Sequence, residues 1–318
     1  MKRNNARIII FTLILTSLYI AIPCMANDDV ADNIKGKFTF EGIRNPKLGW
    51  GVYVLSLKDA EPKFLGSKMT GPRWSPNGTK IAVSGADGIL ILNENGNIIE
   101  TIKPMINYRP QPIEWSPNGD EILYATTRKG EEQKHWRTCL YIYNLKTKQH
   151  NLILNLSGKY SILSPSFSPD GKQILVSLTD EQSGIYILNK DGSGVEKLRK
   201  NAMAVGWFPD GKSICFDTNI GDDGNLMNPK RGYGYLFKYN LENKSTEKIR
   251  EFGFTLDAKL SKDGKYVYYI KPIGRGAHVI CVSPIDDEKI EIQITKPVLL
   301  GNSGKYSEEF SPDWYQGE

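Results

Sequence analysis

The residue types most often used in catalysis are scarce in this sequence of 318 residues. It contains three histidines, His135, His150 and His278, and none of them lies in an H-E-x-x-H zinc motif. The sequence also lacks the G-x-S-x-G motif of serine hydrolases and a phosphate-binding loop. We therefore predict no catalytic residue, no metal ligand and no cofactor, and we expect the histidines to lie on the surface or in hairpins.

One oxygen-rich segment, residues 217–225, has the residue types that bind Ca²⁺. Its candidate ligands are Asp217, Asn219, Asp222, Asp223 and Asn225. Glycines follow at positions 221 and 224, so the spacing does not match the calcium-binding loop D-x-[DN]-x-[DN]-G. The pattern favours a polar loop over an ion site.

Arginine, tyrosine and tryptophan dominate binding hot spots, and here they occur in predicted loops. Two of these loops contain the same pentapeptide, Ser-Gly-Lys-Tyr-Ser, at residues 157–161 and 303–307. Its lysines would attract an anionic group and its tyrosine rings would add contact area. Common ancestry of repeats, or chance, is the other explanation of the match. The candidate partner-binding residues are Tyr108, Arg109, Trp136, Arg137, Lys159, Tyr160, Lys305 and Tyr306.

A short repeated phrase determines the elements that position these loops. It has five successive positions. The first is an aromatic residue or Leu, the second is Ser or Phe, the third is usually Pro, the fourth is Asn or Asp, and the fifth is Gly. Proline fixes φ and glycine accepts positive φ, so the phrase predicts a β-turn between two antiparallel strands. The copies lie at residues 74–78, 115–119, 167–171, 207–211 and 260–264, with a shortened sixth copy at Phe310-Ser311-Pro312-Asp313.

The spacing of the phrase predicts a β-propeller of six blades. Four strands can be assigned to each repeat, which is the composition of a propeller blade. Residues 37–40, 51–57 and 62–65 look like the second to fourth strands of a blade without its first strand, and residues 309–311 supply that first strand. We therefore expect an all-β ring closed by one blade shared between the N- and C-terminal strands, which leaves no open gap between blades.

The phrase resembles the TolB-type, WD40-like (PD40) β-propeller repeat, which also occurs in the propellers of prolyl-oligopeptidase-type peptidases. The resemblance covers about residues 37–314. It implies the propeller fold and a role in protein complexes of the cell envelope. TolB proteins carry an additional α/β domain and the peptidases a hydrolase domain, and the sequence indicates neither.

Residues 1–26 are predicted to be a signal peptide and residues 27–318 the propeller. The segment begins with Lys2, Arg3 and Arg7, continues with an apolar stretch and ends at Ala26. Its removal takes three basic residues and no acidic residues from the chain, so the formal charge falls from +5 to +2. This small net charge implies no nucleic-acid partner. We expect a periplasmic or otherwise exported protein without a spanning segment after cleavage. An uncleaved anchor and lipidation at Cys24 are the alternatives.

Three cysteines, Cys139, Cys215 and Cys281, remain in the mature chain. Each lies in or beside a predicted strand and none forms a C-x-x-C pair. Buried thiols are the favoured interpretation, and one disulfide plus a thiol is the alternative in an oxidising compartment.

The sequence therefore favours an exported, monomeric and non-enzymatic propeller that binds a protein or peptide partner, which could be acidic. The alternative hypothesis is a propeller enzyme or binding protein that acts on anionic carbohydrate through loop arginines and lysines. We expect the binding residues on the face opposite the repeated turns, because function is usually carried by loops on a rigid scaffold.

Overall fold

A computed structural model describes residues 33–59, 61–105, 110, 113–129, 136–158, 161–179, 183–218, 234–252, 256–274, 277–296 and 308–317. Within these ranges the chain forms strands and turns and no α-helix. The predicted signal peptide lies outside the described residues.

The strands are numbered in chain order. They are β1 Lys37–Ile43, β2 Gly51–Ser56, β3 Lys63–Ser67, β4 Thr70–Trp74, β5 Lys80–Gly85, β6 Gly88–Asn93, β7 Ile98–Ile102, β8 Ile113–Trp115, β9 Glu121–Lys129, β10 Trp136–Asn144, β11 His150–Ser157, β12 Ile162–Phe167, β13 Gln173–Leu178, β14 Gly184–Asn189, β15 Glu196–Lys200, β16 Met203–Trp207, β17 Ser213–Thr218, β18 Gly234–Asn240, β19 Thr246–Phe252, β20 Leu256–Leu260, β21 Tyr266–Gly274, β22 Ala277–Pro284, β23 Ile292–Gln293 and β24 Glu308–Tyr315.

The described strands form six antiparallel sheets of four strands each. Blade 1 contains β4–β7, blade 2 β8–β11, blade 3 β12–β15, blade 4 β16–β19 and blade 5 β20–β23, while blade 6 has the order β24-β1-β2-β3. The first strands, β24, β4, β8, β12, β16 and β20, contact one another in sequence around a ring. The predicted six-bladed propeller with a shared blade is therefore confirmed.

Blade 6 closes the ring by pairing the two ends of the chain. The C-terminal strand β24 runs antiparallel to β1, with Trp314 opposite Phe38 and Phe310 opposite Glu41. Trp314 also stacks on Phe38 with ring centroids 5.2 Å apart. Both hydrogen bonds and aromatic packing thus hold the C-terminal strand in the sheet.

The structure corrects the register of the shortened sixth phrase. We expected a strand at residues 309–311 with a turn directly after it, as in the other phrases, but β24 continues through Pro312 and Asp313 to Tyr315. Trp314 pairs with β1 as Trp74 pairs with β5, so Trp314 is the equivalent of the aromatic residue in the other phrases. The misreading arose because Ser311-Pro312 also resembles the Ser-Pro of the turn.

The five complete phrases form the turns that the sequence predicted. In blade 3 the Gly171 N–H donates to the Ser168 carbonyl at 2.8 Å, and the Gln173 N–H donates to the Ser168 hydroxyl at 2.9 Å. Gly171 has φ of +71°, a conformation that glycine adopts without steric cost. We call the end of the propeller with these turns the turn face and the opposite end the loop face.

The proline and glycine of the phrase also join neighbouring blades. A Cβ built on Gly119 would lie 3.6 Å from Pro76 of the preceding blade, and one on Gly171 would lie 3.8 Å from Pro117. At the shared blade, where no phrase is present, the ring of Tyr315 lies against Gly78 instead. The repeat therefore determines both the turn within a blade and the contact between blades.

The hydrophobic core lies between the blades. Six clusters of buried residues are found in the described chain, and each one fills the interface between two neighbouring blades. Ion pairs such as Lys148–Glu100 and Lys190–Glu121 join blades at their solvent-exposed sides. Because such exposed pairs contribute little, the apolar interfaces provide most of the stability.

The three mature cysteines lie buried on β10, β17 and β22, and none forms a disulfide with another. Their separation agrees with the favoured interpretation of buried thiols. Among the described residues no helix is long and apolar enough to cross a membrane.

Candidate functional site

Most of the predicted partner-binding residues lie outside the described part of the chain. This applies to Tyr108, Arg109, Lys159, Tyr160, Lys305 and Tyr306. Trp136 begins β10, and Arg137 follows it as an exposed residue opposite Ser157 of β11. Both therefore lie at the loop-face end of blade 2, and the convergence of the full set remains a prediction.

The other candidates from the sequence are only partly described. Of the oxygen-rich segment, Asp217 and Thr218 end strand β17, and residues 219–225 lie outside the described ranges. His150 starts β11 and shares a 2.8 Å hydrogen bond with the Tyr124 hydroxyl. His278 lies in β22. Both histidines are half-buried in β-hairpins, His150 in that of β10 and β11 and His278 in that of β21 and β22, which agrees with the expected place in hairpins.

The loop face carries an apolar cleft at the seam between blades 6 and 1. It has a volume of about 640 Å³ and is lined by residues 48–50, 67–68, 70 and 86. Pockets that hold small ligands or side chains have volumes of roughly 300–1,000 Å³. Leu48 and Trp50 keep 43% and 36% of their surface exposed there. The described chain thus exposes two large apolar side chains beside a concave surface.

Local backbone structure fixes this cleft. The N–H groups of Leu48 and Gly49 both donate to the Asn45 carbonyl, which forms a tight turn between β1 and β2. Gly49 has φ of +71°, and a Cβ added there would meet nothing within 4 Å, so it lies beside open space. Behind the turn, Trp50 stacks on Phe310 of β24 at 5.5 Å. The exposed indole is therefore held in place by the C-terminal strand.

Lys68 follows β3, next to Trp50 at the start of the paired strand β2, and has an uncommon backbone conformation. Its φ is +61°, a region in which residues other than glycine are uncommon. The Lys68 N–H donates to the Trp50 carbonyl at 3.3 Å, which links this conformation to the backbone beside the indole.

The apolar surface continues from the cleft toward blade 5. The Phe310 ring contacts the His278 imidazole at 4.8 Å, and Ile273 on the neighbouring strand is 44% exposed. We call the surface formed by Leu48, Trp50, Phe310, His278 and Ile273 the loop-face strip. It extends the cleft across two blades.

A second set of side chains converges at the axis of the propeller. Each belongs to a first strand and immediately precedes the aromatic residue or Leu of the repeat. The set is Lys259 of blade 5, Asp313 of blade 6, Arg73 of blade 1 and Glu114 of blade 2. Lys259 and Glu114 influence each other's pKa although two blades separate them, so these side chains meet near the axis.

Asp313 is at the centre of this axial cluster. Its carboxylate accepts the Trp74 N–H at 2.7 Å and the Tyr268 hydroxyl at 3.3 Å, and it lies 4.0 Å from the Lys259 ammonium. Lys259 also donates to the Pro312 carbonyl at 3.0 Å. Asp313 therefore joins blades 5, 6 and 1 at the point where the ring closes.

The surroundings of the axial cluster shift its pKa values. Burial, together with the Asp313 carboxylate, raises the pKa of Glu114 to about 7. Burial and the neighbouring Arg73 guanidinium lower the pKa of Lys259 to about 8. Glu114 lies 3.8 Å from the Arg73 guanidinium, whose positive charge opposes the rise without cancelling it. It is the axial group whose protonation changes near neutral pH.

Two further carboxylates fix the irregular backbone of the first strands. Glu41 accepts the Gly71 N–H at 2.9 Å, and Asp257 accepts the Ser311 N–H at 3.1 Å. Gly71, Asp257 and Ser311 all have positive φ and lie three residues before the repeat aromatic or Leu. These carboxylates stabilise β-bulges of the kind that redirect a strand.

The arrangement limits the chemistry that the described residues can perform. They contain no group of three or more His, Cys, Asp or Glu side chains placed to hold a metal ion. The axial carboxylates accept hydrogen bonds from backbone or Tyr groups and face two cations, which is a stabilising arrangement. Among the axial carboxylates with a shifted pKa, Glu114 has a value suited to proton transfer near pH 7.

Sequence reasoning missed both the cleft and the axial cluster. The axial residues could have been found from the repeat, because the position before each aromatic faces away from the packed side of the strand. Charged residues occupy that position in four blades, and Ser166 and Gly206 in the other two. The cleft gave no such signal, because it forms from residues of several separate connections.

Comparison with known proteins agrees with this geometry. Residues 115–299, more than half of the chain, match the TolB β-propeller domain family (PD40). The chain belongs to the TolB β-propeller domain family. This agrees with the family that the repeated phrase resembled.

Similar proteins match only part of this PD40 chain. The uncharacterized peptidase YuxL of Bacillus subtilis is 25% identical over 115 residues, which are 34% of this chain and 17% of that protein. The Tol-Pal system protein TolB of Francisella tularensis is 32% identical over 90 residues, 27% of this chain and 19% of the relative. The matched segments thus span less than a fifth of either relative.

Solved structures share the propeller fold with this PD40 chain. TolB from Acinetobacter baumannii has a TM-score of 0.62 at 18% identity, covering 89% of this chain and 67% of that one. An oligogalacturonate lyase in complex with manganese has a TM-score of 0.59 at 12% identity, with coverages of 84% and 75%. An acylaminoacyl peptidase from Pyrococcus horikoshii has a TM-score of 0.54 at 18% identity, with coverages of 84% and 46%. At these identities the likeness concerns the fold.

Proposed function

We propose that this PD40 chain is an exported, non-enzymatic propeller that binds a protein or peptide partner in the bacterial envelope. The observation that carries the proposal is the loop-face cleft, where Trp50 is exposed and held by its stack on Phe310. The TolB family supports a scaffold role, because the Francisella relative is named a Tol-Pal system protein.

The physical argument rests on how a rigid aromatic residue binds. A Trp that is already fixed in one conformation loses little side-chain entropy on association, and Trp is among the residue types most frequent in hot spots. The adjoining loop-face strip adds apolar area from Leu48 and Ile273, which are 43% and 44% exposed. A contiguous apolar surface of this kind marks interaction sites more often than single exposed residues do.

The residues identified from the sequence extend this surface in the proposal. Lys159, Tyr160, Lys305 and Tyr306 would place cations and rings around the loop-face mouth, with Tyr108, Arg109, Trp136 and Arg137 beside them. Their positive charges favour an acidic partner, and binding should weaken as salt screens exposed charges. The partner is a macromolecule and the propeller is a monomer in this proposal.

Export is part of the same proposal and has its own test. The basic start, apolar stretch and Ala26 of residues 1–26 favour cleavage before Asn27 and a periplasmic or other exported location. Intact-mass analysis of the protein from the exported fraction should give a chain that starts near Asn27. A chain that retains Met1 would contradict cleavage.

The decisive experiment is affinity capture from envelope extracts with residues 27–318 as bait. The wild-type chain should retain a distinct partner, and Trp50→Ala should lose most of it. Lys172→Ala on the turn face, where the side chain is 82% exposed, is the matched control and should retain it. The double change Lys159→Ala with Lys305→Ala should weaken retention of the partner relative to wild type at low salt. A partner retained equally by all variants would contradict binding through the loop face.

One observation favours the second candidate, a protein that acts on anionic carbohydrate. Glu114 has a pKa of about 7 and lies beside the cations Arg73 and Lys259, a combination that could bind an acidic sugar and transfer a proton. Anionic oligosaccharides should then be bound or cleaved by the wild type, and Glu114→Gln should remove cleavage while the fold is kept. Absence of binding by the wild type would exclude this candidate.

A further inference from the structure

The composition of the loop-face cleft indicates the chemistry of what it binds. Leu48, Trp50 and Ala86 provide apolar contacts, and Lys68 is the one ionisable residue among the lining residues of the described chain. Pockets are typically apolar with a few polar groups that determine orientation. An apolar group with one negative charge therefore complements these walls.

Lys68 is a suitable counter-charge because its backbone is held by the site itself. The hydrogen bond from its N–H to the Trp50 carbonyl fixes the residue at φ +61° beside Trp50, and both residues line the cleft. A carboxylate placed next to an apolar side chain could thus contact Lys68 while that side chain packs on Trp50.

The loop-face strip favours an extended chain over a compact small molecule. From the cleft, ring contacts continue from Trp50 to the partly exposed Phe310 and His278, and Ile273 is exposed on the strand paired with that of His278. A small molecule that filled the cleft would leave this surface uncovered, whereas an extended segment could cover both. Extended peptides commonly place successive side chains in separate pockets.

We infer that the cleft at the seam of blades 6 and 1 binds an extended peptide segment that presents an aromatic side chain followed by a carboxylate. The inference deepens the proposed function and rests on it for the biological partner. The aromatic ring would pack on Trp50 and the carboxylate would pair with Lys68. Because Phe310 of the C-terminal strand supports Trp50, binding would also stabilise ring closure.

Three blocked dipeptides test the chemistry without the natural partner. They are N-acetyl-Phe-Asp-amide, its uncharged isostere N-acetyl-Phe-Asn-amide, and N-acetyl-Ala-Asp-amide, which lacks the ring. Binding is followed by ¹⁹F NMR of the chain labelled with 5-fluorotryptophan, in which Trp50→Phe assigns the Trp50 signal. The signal of Trp207, which is 8% exposed, is the internal control.

The Phe-Asp probe should shift the Trp50 signal saturably and leave Trp207 unchanged. It should bind about two- to five-fold more tightly than Phe-Asn, the ratio expected for an exposed ion pair. Lys68→Gln should remove that preference and Lys68→Arg should retain it. The Ala-Asp probe should produce no saturable shift.

Several results would overturn the inference. They are equal affinity for Phe-Asp and Phe-Asn, a preference unchanged in a folded Lys68→Gln protein, or no saturable shift of Trp50 with any probe. These outcomes are separable from failure of the proposed function. A captured partner that is insensitive to Trp50→Ala contradicts the cleft as its site, whereas capture of no partner contradicts the function and leaves the probe result standing.

Discussion

At the turn face the same phrase recurs in five blades, whereas at the loop face each blade carries a different connection. The repeated turns share one hydrogen-bond pattern, and their Pro and Gly residues contact each other from blade to blade. The loop face contains the cleft and the exposed Trp50. The repeated residues therefore build the scaffold, and the features suited to binding lie in the connections that are not repeated.

The seam of the ring shows the same contrast within one blade. On the turn face of blade 6, Tyr315 takes the place of the missing phrase and covers Gly78. On the loop face of that blade, Trp50 lines the cleft and Phe310 of β24 stacks on it. In the shared blade, β24 closes the ring at the turn face and supports the exposed Trp50 at the loop face. Substitutions or deletions in β24 should therefore affect both ring closure and the cleft.

The largest expected effect comes from deletion of residues 307–318, which removes β24. The deletion exposes the edge of β1 and the Phe38 ring that Trp314 covers. An open, apolar edge promotes aggregation, so we expect loss of cooperative thermal unfolding and increased light scattering. A synthetic peptide of residues 307–318, added in trans, should restore part of the transition. A truncated chain that melts like the full one would contradict closure by β24.

A smaller effect is expected from Gly78→Ala, compared with Gly171→Ala at an equivalent turn. Both glycines have positive φ, +66° and +71°, so each alanine costs about 1–2 kcal/mol for its backbone conformation. At Gly78 the new Cβ would also lie 2.2 Å from the Tyr315 ring, and such overpacking adds about 1–3 kcal/mol. Urea unfolding should therefore show a larger loss for Gly78→Ala. Equal losses would mean that Tyr315 is easily displaced.

The sequence was sufficient to predict the scaffold because the residue types of the phrase determine the local backbone structure. Pro, Asn or Asp, and Gly define a turn, and the β-branched runs around it define strands. The N-terminal part before Trp74 supplies three strands of a blade, and the C-terminal part after residue 308 supplies the missing first strand. The sequence therefore predicted that the two parts form one blade. Only the register of the last strand was misjudged, since Ser311-Pro312 resembles the turn, whereas the bulge at Ser311 aligns with Gly71.

The candidate site could not be predicted in the same way. Trp50 and Lys68 belong to connections without a repeated pattern, and the Phe310 that supports Trp50 is 260 residues away in the chain. Their proximity follows from ring closure, which the sequence predicts only at the level of strands. The pentapeptide residues Lys159 and Lys305 carried a pattern, but they lie outside the described residues.

Asp313→Asn tests whether the charge of the Asp313 carboxylate stabilises the closed ring. The neutral side chain keeps the shape of Asp313 but weakens its bonds to the Trp74 N–H and the Tyr268 hydroxyl. Loss of a hydrogen bond that involves a charged group costs about 1.5–3 kcal/mol. Asp87→Asn at an exposed loop-face position should stay within about 0.5 kcal/mol. Similar losses for both in denaturant unfolding would contradict a special role for Asp313.

The axial cluster also predicts a pH dependence with a defined sign. The pKa of Glu114 is raised to about 7 in the folded state from an ordinary value of 4.5, so the folded protein binds more protons between these values. Stability contributed by this group is therefore present below about pH 4.5 and decreases as pH rises through 7. Glu114→Gln should flatten that decrease relative to wild type in urea unfolding from pH 4.5 to 7.5. An unchanged slope would contradict the raised pKa.

The smallest expected effect on stability is that of Trp50→Ala, and it separates the two faces most directly. Trp50 is 36% exposed and makes its described ring contact with Phe310, so removal should cost about 1–2.5 kcal/mol, from its partial burial and one aromatic pair. Trp74, which precedes a repeated turn and is 5% exposed, is the matched comparison, since burial predicts a loss of about 3–5 kcal/mol for Trp74→Ala. Both variants are compared by urea unfolding at one pH. A loss at Trp50 equal to that at Trp74 would make Trp50 part of the core, and the exposed indole would then be a feature of the scaffold and not of a binding surface.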